Sequence, residues 1–482
     1  KSEGLWGNGS KLAVSGMNVT SLELADPETR DHSSWASRIV SNSYTAVGNI
    51  DYKGKYIIDG LVRRDGASVI GDDNMWQTYY RISGAWNVTE DFKIPKFQML
   101  KPRISYGIAG ILPDYGAKYE TFALSNGTLY GGDQLGNKKL KPALSEELEL
   151  GIDMRFFNRF DLTYTYSNKR NTDLPYVMTV SGVTGFQFQN INIGEFFVHS
   201  HEISFNANLL QKKDWRWDAT LTWDKLLEYV GELGRPDFMI GYTKVASNEK
   251  YGNLYSSKFA TSLDQVKTSP LIKPGLSVED VFTINNFGYV VRKDLIGTRD
   301  EAKMSVLNEN GATSQNEFIG NMMPDFNMNL INVLNYKNWM FYFTLSWQQG
   351  GVLYNNTKVY MSFAGRNAAF WDMSERPWEQ KKSMTYSNQH SRASFTEDAT
   401  FLKMREMSLN YNFTRQQLQK LGISFINNIK CGVVGRNLLT LTNYSGPDPE
   451  TRTVEGGTLN GSDTPKYPSD IRTITGTVTI EF

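Results

Sequence analysis

The chain has 482 residues, 51 basic against 51 acidic side chains and a mean hydropathy of -0.43. This balance gives no support to a nucleic-acid partner, which requires a basic surface. No apolar run approaches the ~18 residues of a membrane-spanning helix. A single cysteine, Cys431, excludes an intrachain disulfide framework.

Apolar and polar residues alternate along most of the chain, in runs of about the 9–11 residues that a tilted membrane strand requires. In one hairpin the apolar positions run from Leu148 to Phe156 and, after a turn at Asn158, from Phe160 to Tyr166. The alternation predicts thirteen strands. They span 44–51, 55–65, 77–88, 98–108, 146–156, 159–168, 199–210, 214–224, 324–335, 338–348, 401–413, 427–437 and 471–482.

Short turns alternate with long polar connections between these strands, as they do between the periplasmic and extracellular ends of bacterial barrels. The pattern predicts an all-β, antiparallel transmembrane β-barrel at 44–482, with 1–43 as the chain start and an extracellular loop. A soluble β-sandwich or propeller is the alternative, but soluble strands average about 5–6 residues. The long extracellular loops are expected at 109–145, 169–198, 225–323, 349–400 and 438–470.

An odd number of strands would leave the two chain ends on opposite sides of the membrane. We therefore expect about nine further strands upstream, giving the about 22 strands of a large transporter barrel. The first residues, KSEGLWGNGS, contain no export signal, so we expect that signal upstream as well.

Five motifs, in order along the chain, resemble those of the SusC family of TonB-dependent outer-membrane transporters. Segment 49–68 contains a Tyr-Lys-Gly-Lys-Tyr hairpin, and 100–110 resembles the strand that follows it. Segments 316–330 and 401–413 resemble two later strands, and 435–450, GRNLLTLTNYSGPDPE, carries the most recognisable signature. The signature residues are Gly435, Arg436, Asn437, Asp448, Pro449 and Glu450.

This resemblance implies the C-terminal barrel portion of an importer in the outer membrane of a Gram-negative bacterium. It implies uptake of oligosaccharides together with a SusD-like surface lipoprotein, and contact with outer-membrane lipid. It also implies coupling to TonB through an N-terminal plug region that is missing from this sequence. Peptide cargo and a dimeric assembly of transporter–lipoprotein pairs are left open. The alternative from another class is a scaffold or adhesin that docks lipoproteins without transport, and a plug in the upstream sequence would distinguish the two.

Aromatic, amide and basic side chains in the long loops are candidate contacts with substrate or partner, because such groups stack on and hydrogen-bond to sugars. The same side chains could instead pack within the loops, and 225–323 could be a cap or a docking surface. Polar residues of three strands are expected to face the lumen, toward the plug or the substrate path. The loop candidates are Tyr255, Tyr354, Asn355, Arg366, Trp371 and Trp378; the lumen-facing candidates are Asn327, Asn329, Thr344, Ser346, Ser408 and Asn410.

No catalytic, cofactor or metal site is predicted, and the protein is not expected to be an enzyme. The sequence has no nucleophile elbow, P-loop or zinc-protease motif. His199 and His201 stand two residues apart, but the spacing suggests no third metal ligand. Asp448, Glu450 and Asp463 lack the alternating ligands of a calcium loop and are expected to form a solvated acidic turn.

Overall fold

The computed structural model is built mainly of antiparallel β-sheet. Within the residues that it describes, no helix is long and apolar enough to cross a membrane. The candidates Arg366, Trp371 and Trp378 lie outside the described residues. The described residues are 2–8, 31–37, 39–71, 74–114, 116–125, 128–298, 301–363, 392–451, 454–455, 458–459, 461–463 and 471–482.

Thirteen long strands run across the main sheet, and each one pairs with the next long strand in sequence. The thirteen predicted strands are therefore all present, and the all-β fold class is confirmed. The strands are β1 (Ser41–Tyr52), β2 (Tyr56–Ala67), β3 (Trp76–Trp86), β4 (Phe97–Ile111), β5 (Ala143–Phe156), β6 (Phe160–Thr179), β7 (Phe186–Gln211), β8 (Trp215–Val230), β9 (Phe326–Tyr336), β10 (Trp339–Gln349), β11 (Phe401–Thr414), β12 (Asn428–Thr442) and β13 (Thr473–Glu481). Two short strands, Thr121–Ser125 and Thr128–Leu135, join the same sheet beside β7.

Side chains alternate between an apolar and a polar face of this sheet, as the sequence predicts. Cross-strand pairing keeps the apolar face continuous: Leu221 of β8 lies opposite Phe205 of β7 on one side and Leu330 of β9 on the other. A one-residue slip would move every side chain to the opposite face, so the apolar pattern of each strand specifies the register.

Aromatic pairs lie at both ends of the apolar face. The ring centres of Trp339 and Tyr411 are 4.7 Å apart at the short-turn end, and those of Phe326 and Trp347 are 5.0 Å apart at the end of the long connections. Two aromatic girdles on either side of an apolar band are typical of barrels that cross an outer membrane.

β6 and β7 extend well beyond the membrane-length core of the sheet, with 20 and 26 residues respectively. They remain paired as far as Thr179 and Phe188, and a short 3-10 turn, Gly182–Thr184, joins them. The stretch 169–198, expected to be a loop, is therefore mostly a strand hairpin. Its outer part is held by a hydrophobic cluster that includes Ile193 and Phe196.

The connection between β8 and β9 is a folded unit, which we call the cap (residues 231–325). It contains a four-stranded sheet and a hairpin, and a cluster with Val266, Phe282 and Val290 at its centre shows that it has an apolar core of its own. Its elements are Phe238–Ile240, Thr243–Val245, Asn253–Ser256, Leu263–Val266, Val278–Val281, Phe282–Ile284, Val290–Arg292 and Glu317–Asn321.

Smaller elements occupy the remaining connections. Paired strands are Ser2–Asn8 with Asp31–Ser37, Thr121–Ser125 with Thr128–Leu135, Val352–Tyr354 with Thr396–Asp398, and Val454–Glu455 with Thr458–Leu459. Short helices are Val88–Asp91, Asn356–Phe363, Arg392–Phe395 and Arg415–Lys420.

The main sheet is open along its two outer strands, β1 and β13. In the part of the chain that the structure describes, these strands do not pair with one another, and every residue of both is exposed.

Candidate functional site

Three long connections meet at one end of the sheet: the cap, the β10–β11 connection and the β12–β13 connection. We call their meeting point the loop junction. It comprises Tyr242, Tyr354, Asn355, Arg392, Glu397, Tyr444, Ser445 and Asp463.

Two fully buried side chains of the loop junction cap the helix Asn356–Phe363. The side-chain oxygen of Asn355 accepts a hydrogen bond from the backbone N–H of Lys358 at 2.8 Å, and a carboxylate oxygen of Asp463 accepts one from Thr357 at 3.0 Å. Asn355 and Asp463 are 0% exposed. Their oxygens satisfy N–H groups that have no partner inside the helix, and the charge of Asp463 complements the helix dipole.

Asp463 also accepts a hydrogen bond from Tyr444, and its segment is hydrogen-bonded to the backbone of Tyr354. The Tyr444 hydroxyl donates to the second carboxylate oxygen of Asp463 at 2.8 Å. Burial, together with this bond to a carboxylate, raises the pKa of Tyr444 well above its ordinary value. Tyr354 donates its N–H to Gly461 and accepts one from Asp463, so the two connections are joined by backbone as well as by side chains.

Glu397 joins the same two connections through its carboxylate. It accepts hydrogen bonds from Lys358 Nζ at 2.8 Å, and from the backbone N–H and hydroxyl of Ser445 at 2.7 and 2.8 Å. Burial opposes the charge of Glu397, but these bonds outweigh it and hold the pKa of the carboxyl below its ordinary value.

Arg392 connects the cap to the junction. Its guanidinium lies between the rings of Tyr242, in the cap, and Tyr354, with its central carbon 3.9 Å from the centre of the Tyr354 ring. A cation between two aromatic faces is attracted to both. Asn355 is fully buried, whereas Tyr354 is partly buried and packs against Arg392. Their contact with substrate or partner stays a prediction.

The signature acids form a second cluster beside the junction, which we call the latch (Lys403, Arg405, Asp448 and Glu450). Lys403 Nζ lies 2.7 Å from Asp448 and 2.6 Å from Glu450, and Arg405 forms two hydrogen bonds with Glu450. Burial opposes the charge of Glu450, yet both cations together keep its pKa below the ordinary value. The expectation of a solvated acidic turn is wrong for Asp448 and Asp463, because both are buried.

The other signature residues shape the end of β12. Arg436 bonds to Glu406 at 2.9 Å, and Asn437 has a positive φ of 50°, a conformation that asparagine tolerates better than most residues. A side chain at Gly435 would lie 2.8 Å from Leu438. Pro449 is buried between the two latch acids. These residues therefore position a loop on the sheet.

The remaining loop candidate, Tyr255, is partly buried inside the cap. Its hydroxyl donates to Glu249 at 3.2 Å, and Lys244 Nζ lies 5.2 Å from its ring centre.

His201 of β7 contacts a tyrosine of the neighbouring strand: the hydroxyl of Tyr164 and Nδ1 of His201 are 2.9 Å apart. Among the described residues, no group of three or more His, Cys, Asp or Glu side chains could hold a metal ion.

The six lumen-facing candidates share the polar face of the sheet. Asn329 lies opposite Ser346, Asn327 opposite Gln348, and Ser346 opposite Lys403. The remaining candidates occupy the same face, through the pairing of Thr344 with Glu406, of Ser408 with Tyr342 and of Asn410 with Met340. Their exposure to a barrel lumen stays a prediction.

Sequence reasoning did not identify Lys403, Arg392, Glu397 or Tyr444 as members of a site. Lys403 and Arg405 lie in segment 401–413, and the acids in 435–450, so both halves of the latch stood in recognised motifs. The opposite charges of these two motifs were the feature of the sequence from which the latch could have been predicted. We expect the same signal to reveal such pairs in related sequences.

The helix cap at Asn355 gives a testable prediction. Asn355→Ala removes the side-chain oxygen from the helix N-terminus and is expected to cost about 1–2 kcal/mol of local stability. Hydrogen exchange of the amides of Thr357 and Lys358 measures it. The matched control is Asn310→Ala, which changes an exposed asparagine in the folded cap unit, residues 231–325. Equal exchange in both variants would show that Asn355 does not cap the helix.

The lowered pKa values of Glu397 and Glu450 predict how the loops respond to acid. A carboxyl whose pKa is lower in the folded than in the unfolded state stabilises the fold above about pH 4.3, and this stabilisation is lost as pH falls through the folded pKa. Exchange in the 443–451 segment is therefore expected to accelerate between neutral pH and pH 3, after correction for intrinsic rates. Glu397→Gln should weaken this dependence. A loop that becomes more protected in acid would contradict the assignment.

Solved structures share the fold of this chain. The structure of the RagAB peptide importer in its closed-closed state matches with a TM-score of 0.75 at 17% identity, covering 100% of this chain and 52% of that chain. A second RagAB structure, titled a peptide transporter, matches with a TM-score of 0.71 over the same shares. These matches confirm the predicted fold, an antiparallel β-barrel sheet, and together with the sequence relatives they support the predicted outer-membrane location.

Sequence relatives are consistent with this fold and location. No protein-family model matches the chain. A TonB-dependent receptor of Formosa agariphila is 25% identical over 490 residues, which cover 92% of this chain and 46% of the relative. The TonB-dependent receptor SusC of Bacteroides thetaiotaomicron is 24% identical over 94% of this chain and 45% of its own length. The predicted resemblance to SusC-type receptors is confirmed, and the chain spans about half the length of the curated relatives it matches.

Proposed function

We propose that the protein imports oligosaccharides across the outer membrane with energy delivered by TonB. The observation that carries the proposal is the division of one large sheet into an apolar face bounded by aromatic girdles and a polar face rich in hydroxyl and amide groups. Such a sheet, rolled into a barrel, separates lipid from a polar interior. Similarity to receptors named TonB-dependent supports an active rather than a passive route.

Completion of the barrel is part of this proposal. An unpaired strand edge in hydrocarbon leaves backbone N–H and C=O groups without partners, at several kcal/mol each. We infer that additional strands join β1 to β13, and that 44–482 forms one part of the closed barrel. A plug inside that barrel, with a TonB-binding segment, would supply the coupling.

The end of the sheet that carries the loop junction is the proposed extracellular mouth, where a SusD-like lipoprotein would bind. The cap exposes apolar side chains there, including Phe287 and Ile284, which are 50% and 47% exposed. Exposed apolar groups beside polar ones are typical of protein-binding surfaces. β1 begins at the same end, because its first residue, Ser41, lies opposite Ala67 at the end of β2.

Growth and uptake of the source bacterium test the function. Deletion of the gene is expected to abolish growth on neutral oligosaccharides from partly hydrolysed starch or another polysaccharide on which the parent grows, and to leave growth on glucose unchanged. A full-length copy should restore growth, and a copy without its TonB-binding segment should not. Restoration by both copies would contradict TonB-driven import.

Peptide import is the second candidate, favoured by the fold match to a structure titled a peptide importer. The same strains, grown on a tryptic digest of casein as nitrogen source, distinguish it. Loss of growth on peptides alone would replace oligosaccharides by peptides. Unchanged growth on all substrates, with loss of a co-purifying surface lipoprotein, would favour a scaffold.

A further inference from the structure

The polar face of the sheet is divided into a charged and an uncharged part. β9 and β10, FNMNLINVLNY and WMFYFTLSWQQ, contain no Asp, Glu, Lys or Arg. In contrast, β5 and β6 carry ion pairs on the same face. Arg155 lies 2.6 Å from Asp161, and Lys169 lies 3.1 Å from Glu147.

The uncharged part carries several hydroxyl and amide groups on neighbouring strands, which we call the neutral strip. Asn329 donates to the Thr222 hydroxyl at 3.3 Å and accepts a hydrogen bond from the Ser346 hydroxyl at 2.6 Å. The Thr344 hydroxyl donates to the Tyr342 hydroxyl at 2.7 Å. The strip consists of Thr222, Asn327, Asn329, Thr344, Ser346 and Ser408.

Charged side chains border the strip on both sides but are absent from its own members. On the β8 side, Asp224 accepts a hydrogen bond from the amide of Asn327 at 2.9 Å. On the β11 side, Glu406 bonds to Arg436 at 2.9 Å, and Lys403, opposite Ser346, bonds to Asp448 and Glu450. The charges on the β11 side are therefore compensated by partners of opposite sign.

The strip retains capacity to bind a solute. An asparagine side chain has two N–H donors and two acceptor lone pairs. The bonds of Asn329 to Thr222 and Ser346 use one donor and one lone pair, and the other two remain for a solute. Repeated weak sites suit a path, because a solute must bind well enough to enter and loosely enough to leave.

Fixed charges suit such a path poorly when the solute is neutral. A neutral polar solute displaces water from a charge without compensating it, and this desolvation costs free energy. A protein surface can provide complementary charges in fixed positions. The charged face of β5 and β6 therefore suits contact with a folded part of the protein inside the barrel.

We propose that the neutral strip is the path along which an uncharged oligosaccharide moves through the barrel, while the charged face of β5 and β6 contacts the protein that fills it. This proposal rests on the proposed import function and deepens it by naming the wall and the charge class of the cargo. It singles out Asn329 and Thr344 as positions that determine specificity.

Cysteine accessibility tests the strip without requiring a known cargo. In the full-length protein in intact cells, Cys431 is first replaced by serine. Thr344→Cys and Thr222→Cys, on the strip, are compared with Thr163→Cys and Thr165→Cys, the matched threonines on the polar face of β6. A small membrane-impermeant maleimide is expected to label the strip positions several-fold faster. Equal rates, or faster labelling on β6, overturn the strip.

A charge placed on the strip tests the cargo class. Asn329→Asp and Thr344→Asp are expected to raise several-fold the concentration of starch oligosaccharides that gives half-maximal uptake, whereas Thr163→Asp should not. Faster uptake of charged casein peptides than of oligosaccharides by the unsubstituted protein overturns the neutral cargo. Absence of any uptake by the unsubstituted protein overturns the proposed function alone. The difference in maleimide labelling rate between the strip and β6 then still decides whether the strip is the part of the barrel wall that is open to solutes.

Discussion

Replacement of Lys403 by methionine is expected to destabilise the β12–β13 connection by about 3–5 kcal/mol, because removing one partner of a buried ion pair leaves an uncompensated charge. Lys403 and Asp448 are 2% and 3% exposed, and their charged atoms lie 2.7 Å apart. Methionine preserves most of the side-chain volume, so lost packing contributes little. Hydrogen exchange of the 443–451 segment measures the free energy of opening.

Two further variants separate the charge effect from a general effect of substitution. Lys420→Met removes an exposed lysine from the helix Arg415–Lys420 and is expected to change little. Lys403→Met combined with Asp448→Asn removes both charges and should regain part of the loss, which a double-mutant cycle quantifies. If Lys403→Met behaves like Lys420→Met, the latch does not hold the loop.

The strands of the sheet could be predicted because their signal is local. In β9, apolar and polar residues alternate within eleven residues, and the predicted bounds, 324–335, differ from the observed Phe326–Tyr336 by two residues or fewer. The outer part of β6 and β7 was missed for the opposite reason. Leu174, Tyr176, Ile191 and Ile193 alternate in this outer part because they pack in a cluster with Leu233 and Val245 of the cap. A criterion of membrane length therefore ends β6 too early and starts β7 too late.

The roles of the loop residues could not be predicted, because they depend on pairs that are distant in sequence. Asp448 is 45 positions from Lys403, and Asp463 is 106 positions from the helix N–H it accepts. An acidic residue followed by proline has the same local pattern whether it faces solvent or a lysine. Tyr354 and Asn355 were selected by residue type as contacts with substrate or partner, and their part in joining the two connections could not be read from residue type.

Arginine at position 221 is expected to cost about 2–4 kcal/mol, the penalty for a cation on the lipid face near the middle of the membrane. Leu221 lies two residues from the midpoint of the part of β8 predicted to span the membrane, 214–224, and between Phe205 and Leu330. Its backbone bonds would remain, so the cost comes from transferring a charge from water into hydrocarbon. The full-length Leu221→Arg variant should unfold at lower urea in detergent-free lipid bilayers, and less of it should reach the outer membrane.

Thr220→Arg tests the same strand on its other face, one residue away. Thr220 lies opposite Asn206 and donates to its amide oxygen at 2.7 Å, so an arginine there would lose that bond but would reach water or polar groups. Its cost should be near the ~1 kcal/mol of a lost hydrogen bond. The ratio of the stability losses caused by Leu221→Arg and Thr220→Arg therefore reports which face of β8 contacts lipid. Equal losses at 220 and 221 would mean that β8 is buried on both faces, and a larger loss at 220 would reverse the assignment of lipid and lumen for the whole sheet, because the register links every strand to β8.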